Sequence, residues 1–283
     1  MSVSLPLIAE TVAGLRARIA AWRKDGERIA MVPTMGALHR GHLELCHQAR
    51  QEADRVVVSI FVNPTQFAPT EDFAAYPRDL SGDLAKLGEA GVDIVFAPTV
   101  EEMYPAGYAT TIGVRGPAEG LETDFRPHFF AGVATVVSKL LIAALPDAAI
   151  FGEKDYQQLL VIRRLVRDLA LPVTIVGHPI VREEDGLAMS SRNAYLSSAE
   201  RDVAPELHRA LAAAAKAIGA GELAGVAIET ARQRIAKAGF DIDYLELRDA
   251  DTLKPPQKQE SERLRLLVAA RLGRTRLIDN VAV

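Results

Sequence analysis

Two histidines three apart, His39 and His42, stand in the stretch RIAMVPTMGALHRGHLELCHQAR, with Gly41 between them. Each imidazole can donate an N–H, so a pair at i, i+3 on the first turn of a helix can grip one phosphate from two sides. A bound polyphosphate would favour their imidazolium forms and strengthen both contacts. A surface turn or half of a metal site would also place histidines this way. The metal reading lacks partners, because the chain has one cysteine, Cys46, and His47, His128, His178 and His208 are scattered without ligand spacing. A second set is Met189-Ser190-Ser191-Arg192, where two hydroxyls and a guanidinium suit a departing pyrophosphate. Standing alone, it would read as an ordinary Ser-rich loop before a helix. There is no G-x-x-x-x-G-K-[ST], which excludes a P-loop, and the only G-x-G, Gly219-Ala220-Gly221, falls between two helical stretches rather than after a strand.

The elements that must position these groups follow from periodicity. Apolar runs at 28–33, 55–63, 93–98, 148–152 and 172–180 read as strands, and helical spacing fills 42–53, 79–90, 130–145 and 154–170. Strand and helix in alternation predict right-handed crossovers and a Rossmann-like, doubly wound parallel α/β sheet. The histidines then sit where a strand hands over to a helix N-terminus, where orphan N–H groups and the helix dipole favour an anion. Ligands of such sheets bind beyond the carboxyl ends of the strands. His39, Asn63, Gln66 and Lys154 all follow strand ends, so they are expected to meet in one cleft. Near residue 181 the chain turns polar, and Ala-rich helices at about 198–218 and 222–238 precede three strands broken by Pro255–Pro256 and Gly273. The expected division is therefore residues 1–180 and a smaller α+β domain, 181–283, hinged at that polar loop.

Composition excludes several classes of function. A net charge of −4 offers no basic field for nucleic acid. No stretch approaches 18 uninterrupted apolar residues, and the N-terminal MSVSLPLIAET lacks the basic start and long apolar run of a signal peptide. One cysteine fits a reducing compartment, and the expected location is cytoplasmic. Cys46 falls on the apolar face of a helix and reads as a packed thiol rather than a nucleophile.

The two motifs in order, HxGH and then a downstream M-S-[KS]-[RS] loop, resemble the adenylate-forming Rossmann-like enzymes related to class I aminoacyl-tRNA synthetases. Seven strings narrow this: VPTMGALHRGH, FVNPTQF, YPRDLSGD, GVATVVSKL, FGEKDYQQL, DGLAMSSRN and TRLIDN. They resemble the pantothenate synthetase (pantoate–β-alanine ligase) family over essentially the whole chain.

The resemblance implies a reaction in two halves. ATP and pantoate give pantoyl-adenylate and pyrophosphate, and β-alanine then displaces AMP. It implies that His39, His42, Lys154 and Arg192 absorb the charge developing on phosphate oxygens. Met35, Gly152, Asp155, Ser190 and Ser191 would complete the ATP site, and Gln66, Gln158 and Asn63 would take pantoate. Magnesium is implied with ATP, and Asp83 is the residue that best matches the family's acidic segment. A homodimer is implied too, and the long apolar strand RVVVSIFVN favours it. One departure is RPHFFAGV, where Phe129 stands in place of the family's histidine and His128 one position earlier, although Arg126 matches. Two other classes fit parts of the pattern. A nucleotidylyltransferase would require extra basic residues for an acceptor phosphate, where this chain has glutamines, and a non-catalytic nucleotide binder would have lost a His or Lys.

Overall fold

The apolar runs that end in these polar residues pair side by side in a six-stranded sheet. The computed structural model describes residues 5–68, 73–256 and 263–283. The order along the chain is β1 (Leu7–Ala9), α1 (Val12–Lys24), β2 (Ile29–Thr34), α2 (Arg40–Glu52), β3 (Arg55–Ile60), α3 (Leu80–Glu89), β4 (Ile94–Phe96), α4 (Val100–Met103), α5 (Glu122–Phe125), α6 (Phe129–Ala144), β5 (Ala148–Gly152), α7 (Tyr156–Asp168) and β6 (Thr174–His178). All these strands are parallel, in the spatial order β1-β4-β3-β2-β5-β6. The chain winds from β2 outward through β3 to β4, then returns to lay β5 on the other side of β2. The reversal of direction lies between β2 and β5, which is where an open α/β sheet leaves a crevice for ligands.

Strand β2 shows why the run is continuously apolar. Ile29 and Met31 enter one core with Leu15 and Ile19 of α1 and Val133 and Val137 of α6, while Ala30 and Val32 enter the opposite core with Leu45, Cys46 and Ala49 of α2. A strand covered by helices on both faces needs apolar side chains at every position, and each fully buried large one contributes about 1.5–3 kcal/mol.

Beyond β6 come α8 (Ser198–Val203), α9 (Glu206–Gly219), α10 (Ala224–Lys237), β7 (Phe240–Asp249), β8 (Leu264–Leu272) and β9 (Thr275–Ala282). The last three form an antiparallel sheet in the order β7-β8-β9. Its faces alternate as the period of a strand requires. Leu266, Val268 and Ala270 of β8 pack with Leu207 and Leu211 of α9 and Ile235 of α10, whereas Leu267 and Ala269 pack with Tyr156 and Leu160 of α7.

Several expectations need correction. The single helix expected over 198–218 is two, interrupted at Pro205, which has no N–H to continue the ladder. The strand expected to run to residue 63 stops at Ile60. That strand, β3, lies between β4 and β2 and is buried, so it offers no edge to a second copy. Its apolar length reflects burial on both faces rather than an interface. The sequence reading assigned no elements before residue 28, where β1 and α1 are found. Residues 257–262, which follow Pro255–Pro256, lie outside the described residues, as do residues 1–4 of the N-terminus.

Candidate active site

Strand β2 ends at Thr34, and a five-residue loop leads to α2, with His39 as its N-cap. The two imidazoles build a reciprocal cap. His39 Nδ1 accepts from the Gly41 N–H at 3.1 Å, and His42 Nδ1 accepts from the His39 N–H at 3.4 Å. Because each Nδ1 accepts, each proton must sit on Nε2, so the edge left for a ligand is a donor. Gly41 is required by the same geometry, since a Cβ there would stand 2.9 Å from two atoms of the His39 ring. Burial, with Lys154 and Lys86 nearby, lowers the His39 pKa to about 4. Burial, then His39 and the same lysines, lowers that of His42 to about 3. In the free protein both rings are therefore neutral N–H donors at pH 7, and the imidazolium forms are expected only with a polyphosphate bound.

Asp83 holds this loop from behind. Its side chain is 1% exposed, and its two oxygens accept from the Ala37 N–H at 2.9 Å and the Leu38 N–H at 2.8 Å. Ala37 has φ of +52°, a left-handed conformation that needs such support in a non-glycine residue. Asp83, expected as a metal ligand, thus has both oxygens engaged by backbone and acts as an anchor. Among the described residues no group of three or more His, Cys, Asp or Glu side chains is arranged to hold a metal ion.

Asn63 is likewise an anchor. It is 1% exposed, donates to Gln66 Oε1 (3.1 Å) and Gly132 O (3.2 Å), and accepts from the hydroxyls of Thr65 (3.0 Å) and Tyr104 (2.7 Å). It fixes the Pro64–Gln66 turn rather than lining the site. Of the adjacent glutamines opening α7, Gln157 is buried and bonds the 117–122 segment, accepting from the Glu122 N–H and donating to Pro117 O and Gly120 O. Both line the cavity, Gln157 with its amide already spent on that segment. Between β5 and α7, the turn Glu153–Asp155 presents Lys154, whose Nζ lies 3.8 Å from Asp155.

One cavity of about 700 Å³ spans the β2–β5 crevice. Met35, His39, His42, Gly152, Lys154, Asp155, Ser190, Ser191 and Arg192 all line it, as do Gln66 and Gln158. Asn63 and Asp83 do not. Ser190 Oγ caps the turn at Ser191–Tyr195 by accepting from the Arg192 N–H, and Ser191 Oγ is 3.2 Å from the Tyr76 hydroxyl.

Comparisons with known proteins establish the family. The family model described as pantoate-beta-alanine ligase matches residues 7–282. The chain belongs to that family. It is 57% identical over 282 residues to the pantothenate synthetase of Mesorhizobium japonicum, covering 99% of each chain. It is also similar to the crystal structure of pantothenate synthetase from Thermus thermophilus, at 50% identity and TM-score 0.92 over 97% of this chain and 98% of that one. The pantoate-beta-alanine ligase of Francisella tularensis, solved with beta-gamma ATP and beta-alanine, shares 34% identity and a TM-score of 0.83, covering 98% and 97% of the two chains. As a member of the family, the chain is a pantoate–β-alanine ligase.

Around this ligase cavity the sequence reading missed a buried network. Glu122 of α5 accepts from the Tyr244 hydroxyl at 2.9 Å and from Arg276 at 2.8 Å, tying α5 to β7 and β9. Burial, followed by the Glu122 charge, pushes the Tyr244 phenol well above its usual range. No local spacing announces this set, since Glu122 and Arg276 are 154 positions apart. At the departure noted in RPHFF, Phe129 stacks on the Arg126 guanidinium at 3.8 Å, and both line the cavity, whereas His128 does not.

Proposed function

We propose that this ligase joins pantoate to β-alanine through a pantoyl-adenylate, releasing pyrophosphate and then AMP. The pantoate carboxylate attacks the α-phosphorus of ATP, forming a C–O–P bond as the bond to pyrophosphate breaks. The β-alanine amine then attacks the acyl carbon and AMP leaves. The observation that carries this reading is one cavity lined by two imidazole N–H edges, the Lys154 ammonium and the Ser190–Arg192 turn. Preorganised donors of this kind stabilise charge that develops on phosphate oxygens.

In this reading His39, His42 and Lys154 serve the α-phosphate, Ser190, Ser191 and Arg192 serve the departing pyrophosphate, and Met35, Gly152 and Asp155 border the nucleotide. Gln66 and Gln158 take the pantoate hydroxyls and carboxylate, for which an amide can both donate and accept. ATP enters as its Mg²⁺ complex, which would suit the finding that no group of three or more His, Cys, Asp or Glu side chains among the described residues is arranged to hold the ion. Residues 181–283 act as a smaller domain that closes over the triphosphate. The working form is a cytoplasmic homodimer. No helix among the described residues is long and apolar enough to cross a membrane. Incubation with ATP, pantoate and β-alanine is expected to yield AMP and pyrophosphate. Formation of ADP and phosphate would overturn the adenylate route.

A further inference from the structure

Two adjacent residues of β9, Asp279 and Asn280, bond to two separate segments around the cavity and reach a third through Arg182. Both are buried, at 4% and 2% exposure. Asn280 Nδ2 donates to the carbonyls of Glu153 (2.9 Å) and Lys154 (3.0 Å). Its Oδ1 accepts from Arg265 at 2.6 Å, and Arg265 lies 3.8 Å over the Tyr156 ring at the start of α7. The amide that holds the Lys154 backbone is therefore itself fixed in orientation. Its carbonyl edge faces a guanidinium, so its NH₂ edge must face the two backbone oxygens.

Asp279 takes the bidentate fork of Arg182, both bonds at 2.8 Å. Arg182 stands at the base of the hairpin that leads into Ser190–Arg192. It bridges to Ala188, and its guanidinium donates to Gly186 O at 3.0 Å across the hairpin turn. Its own carbonyl accepts from Arg40 at 2.6 Å, the residue between the HRGH histidines. Thus the Lys154 turn and the Ser190–Arg192 hairpin converge on one dipeptide of the C-terminal sheet, and the start of α2 joins them through Arg182.

We propose that Asp279 and Asn280 are the positioning residues that set Lys154 and the Ser190–Arg192 turn in register with the HRGH imidazoles. The proposal rests on the assignment of Lys154 to the α-phosphate. Neither residue forms or breaks a bond. Asn280 fixes the height of the Lys154 turn above the sheet, and Asp279 fixes the hairpin through Arg182. A shift of about an ångström in either segment would separate donors that must act on one phosphate chain, a loss on the order of 100-fold.

The test is a double-mutant cycle read in pyrophosphate formation, with ATP affinity measured in parallel on the full chain. Asn280→Ala is expected to lower kcat for pyrophosphate formation by roughly 10- to 100-fold with a small change in the KM for pantoate. In a Lys154→Ala background the same substitution is expected to lower it by less than about 3-fold, because the group it positions is already gone. Equal losses in both backgrounds, in rate and in ATP affinity, would overturn the proposal. Melting curves set a working temperature below every transition. If Asn280→Ala does not fold, Asn280→Ser, which keeps one donor, takes its place in the cycle. The Asp279 half is read the same way, with Asp279→Asn combined with Arg192→Ala, and additive losses there overturn it. Failure of the wild-type protein to release AMP would instead strike the reading of the site, and the ATP-affinity cycle would still decide the coupling.

Discussion

Helix α6 passes so close to the Pro64–Gln66 turn that a single methyl group should disturb substrate binding. A Cβ added at Gly132 would stand 2.5 Å from Thr65 O, 2.7 Å from Thr65 C and 2.8 Å from Gln66 Cα, all of them backbone atoms. Ordinary contact begins near 3.4 Å, so helix or turn must yield by about 0.9 Å, the difference between 3.4 and 2.5 Å. The helix is the stiffer partner, since 12 of its 16 residues are buried. The turn therefore moves, taking Gln66 with it, and strains the bond from Asn63 Nδ2 to Gly132 O. Overpacking of this kind costs about 1–3 kcal/mol, which for a chain of this size lowers Tm by roughly 2–10 °C. A displacement of nearly an ångström at a substrate-binding amide should lower kcat/KM for pantoate by up to about 100-fold. The KM for ATP should change little, because the nucleotide groups sit on other elements. Steady-state kinetics with pantoate and ATP varied separately, beside a melting curve, gives the answer. A lowered Tm with normal pantoate kinetics would refute the assignment of Gln66. Normal values of both would refute the close approach itself.

His42→Ala and Lys154→Ala are each expected to lower the rate of pyrophosphate formation by about 10²–10³. His42→Ala should also lose about 0.5–2 kcal/mol of stability in melts, as it removes half of the cap on α2. In an NMR titration of the imidazoles without ligand, His39 and His42 are expected to stay neutral with the proton on Nε2 down to about pH 5, titrating near the lowered values of about 4 and 3. Unfolded histidine titrates near 6.5, so between those values the unfolded chain binds more protons; this contribution to stability is complete above about pH 6.5 and falls as pH drops toward 4 and then 3. Rings that titrate near 6.5 in the folded protein would refute the cap geometry. Asp83→Asn should raise the KM for ATP and lower stability by about 1–3 kcal/mol, since an amide cannot accept from both loop N–H groups. The Mg²⁺ concentration for half-maximal rate should stay unchanged, and a large rise in it would restore Asp83 as a metal ligand.

The sheet was legible because a strand covered on both faces writes its burial into every residue, as β2 and β3 do. The crevice was legible too, since the polar groups that follow strand ends had nowhere else to gather. What the sequence hid is which polar side chains turn inward toward backbone. Asn63 and Gln66 belong to one short motif, yet one is fully spent on the turn while the other lines the cavity. Gln157 and Gln158 differ by about 100° around α7 and both line the cavity, and only the packing of the 117–122 segment decides that the Gln157 amide is spent on backbone. Asp83 shows the same limit, because an acidic residue in YPRDLSGD reads as a ligand until the left-handed Ala37 beside it is seen. The Glu122–Tyr244–Arg276 network and the Asp279–Asn280 pair join positions from 97 to 154 residues apart, and TRLIDN has no local period to betray it. Helix α1 did carry a signal, with Thr11 capping the Gly14 N–H before Leu15 and Ile19.

The bond from Asn280 to the Lys154 carbonyl spans 126 positions of chain. Closing so long a loop is slow relative to pairing β2 with β3, β3 with β4 and β5 with β6 through their short crossovers. During refolding, those pairs can therefore form while the lysine turn still lacks its support. Recovery of circular dichroism should run ahead of recovery of turnover, and the lag between them should lengthen when β9 is weakened. Assembly of a competent enzyme is then timed by its long closures, β9 onto the lysine turn and β5 onto β2, rather than by the short crossovers.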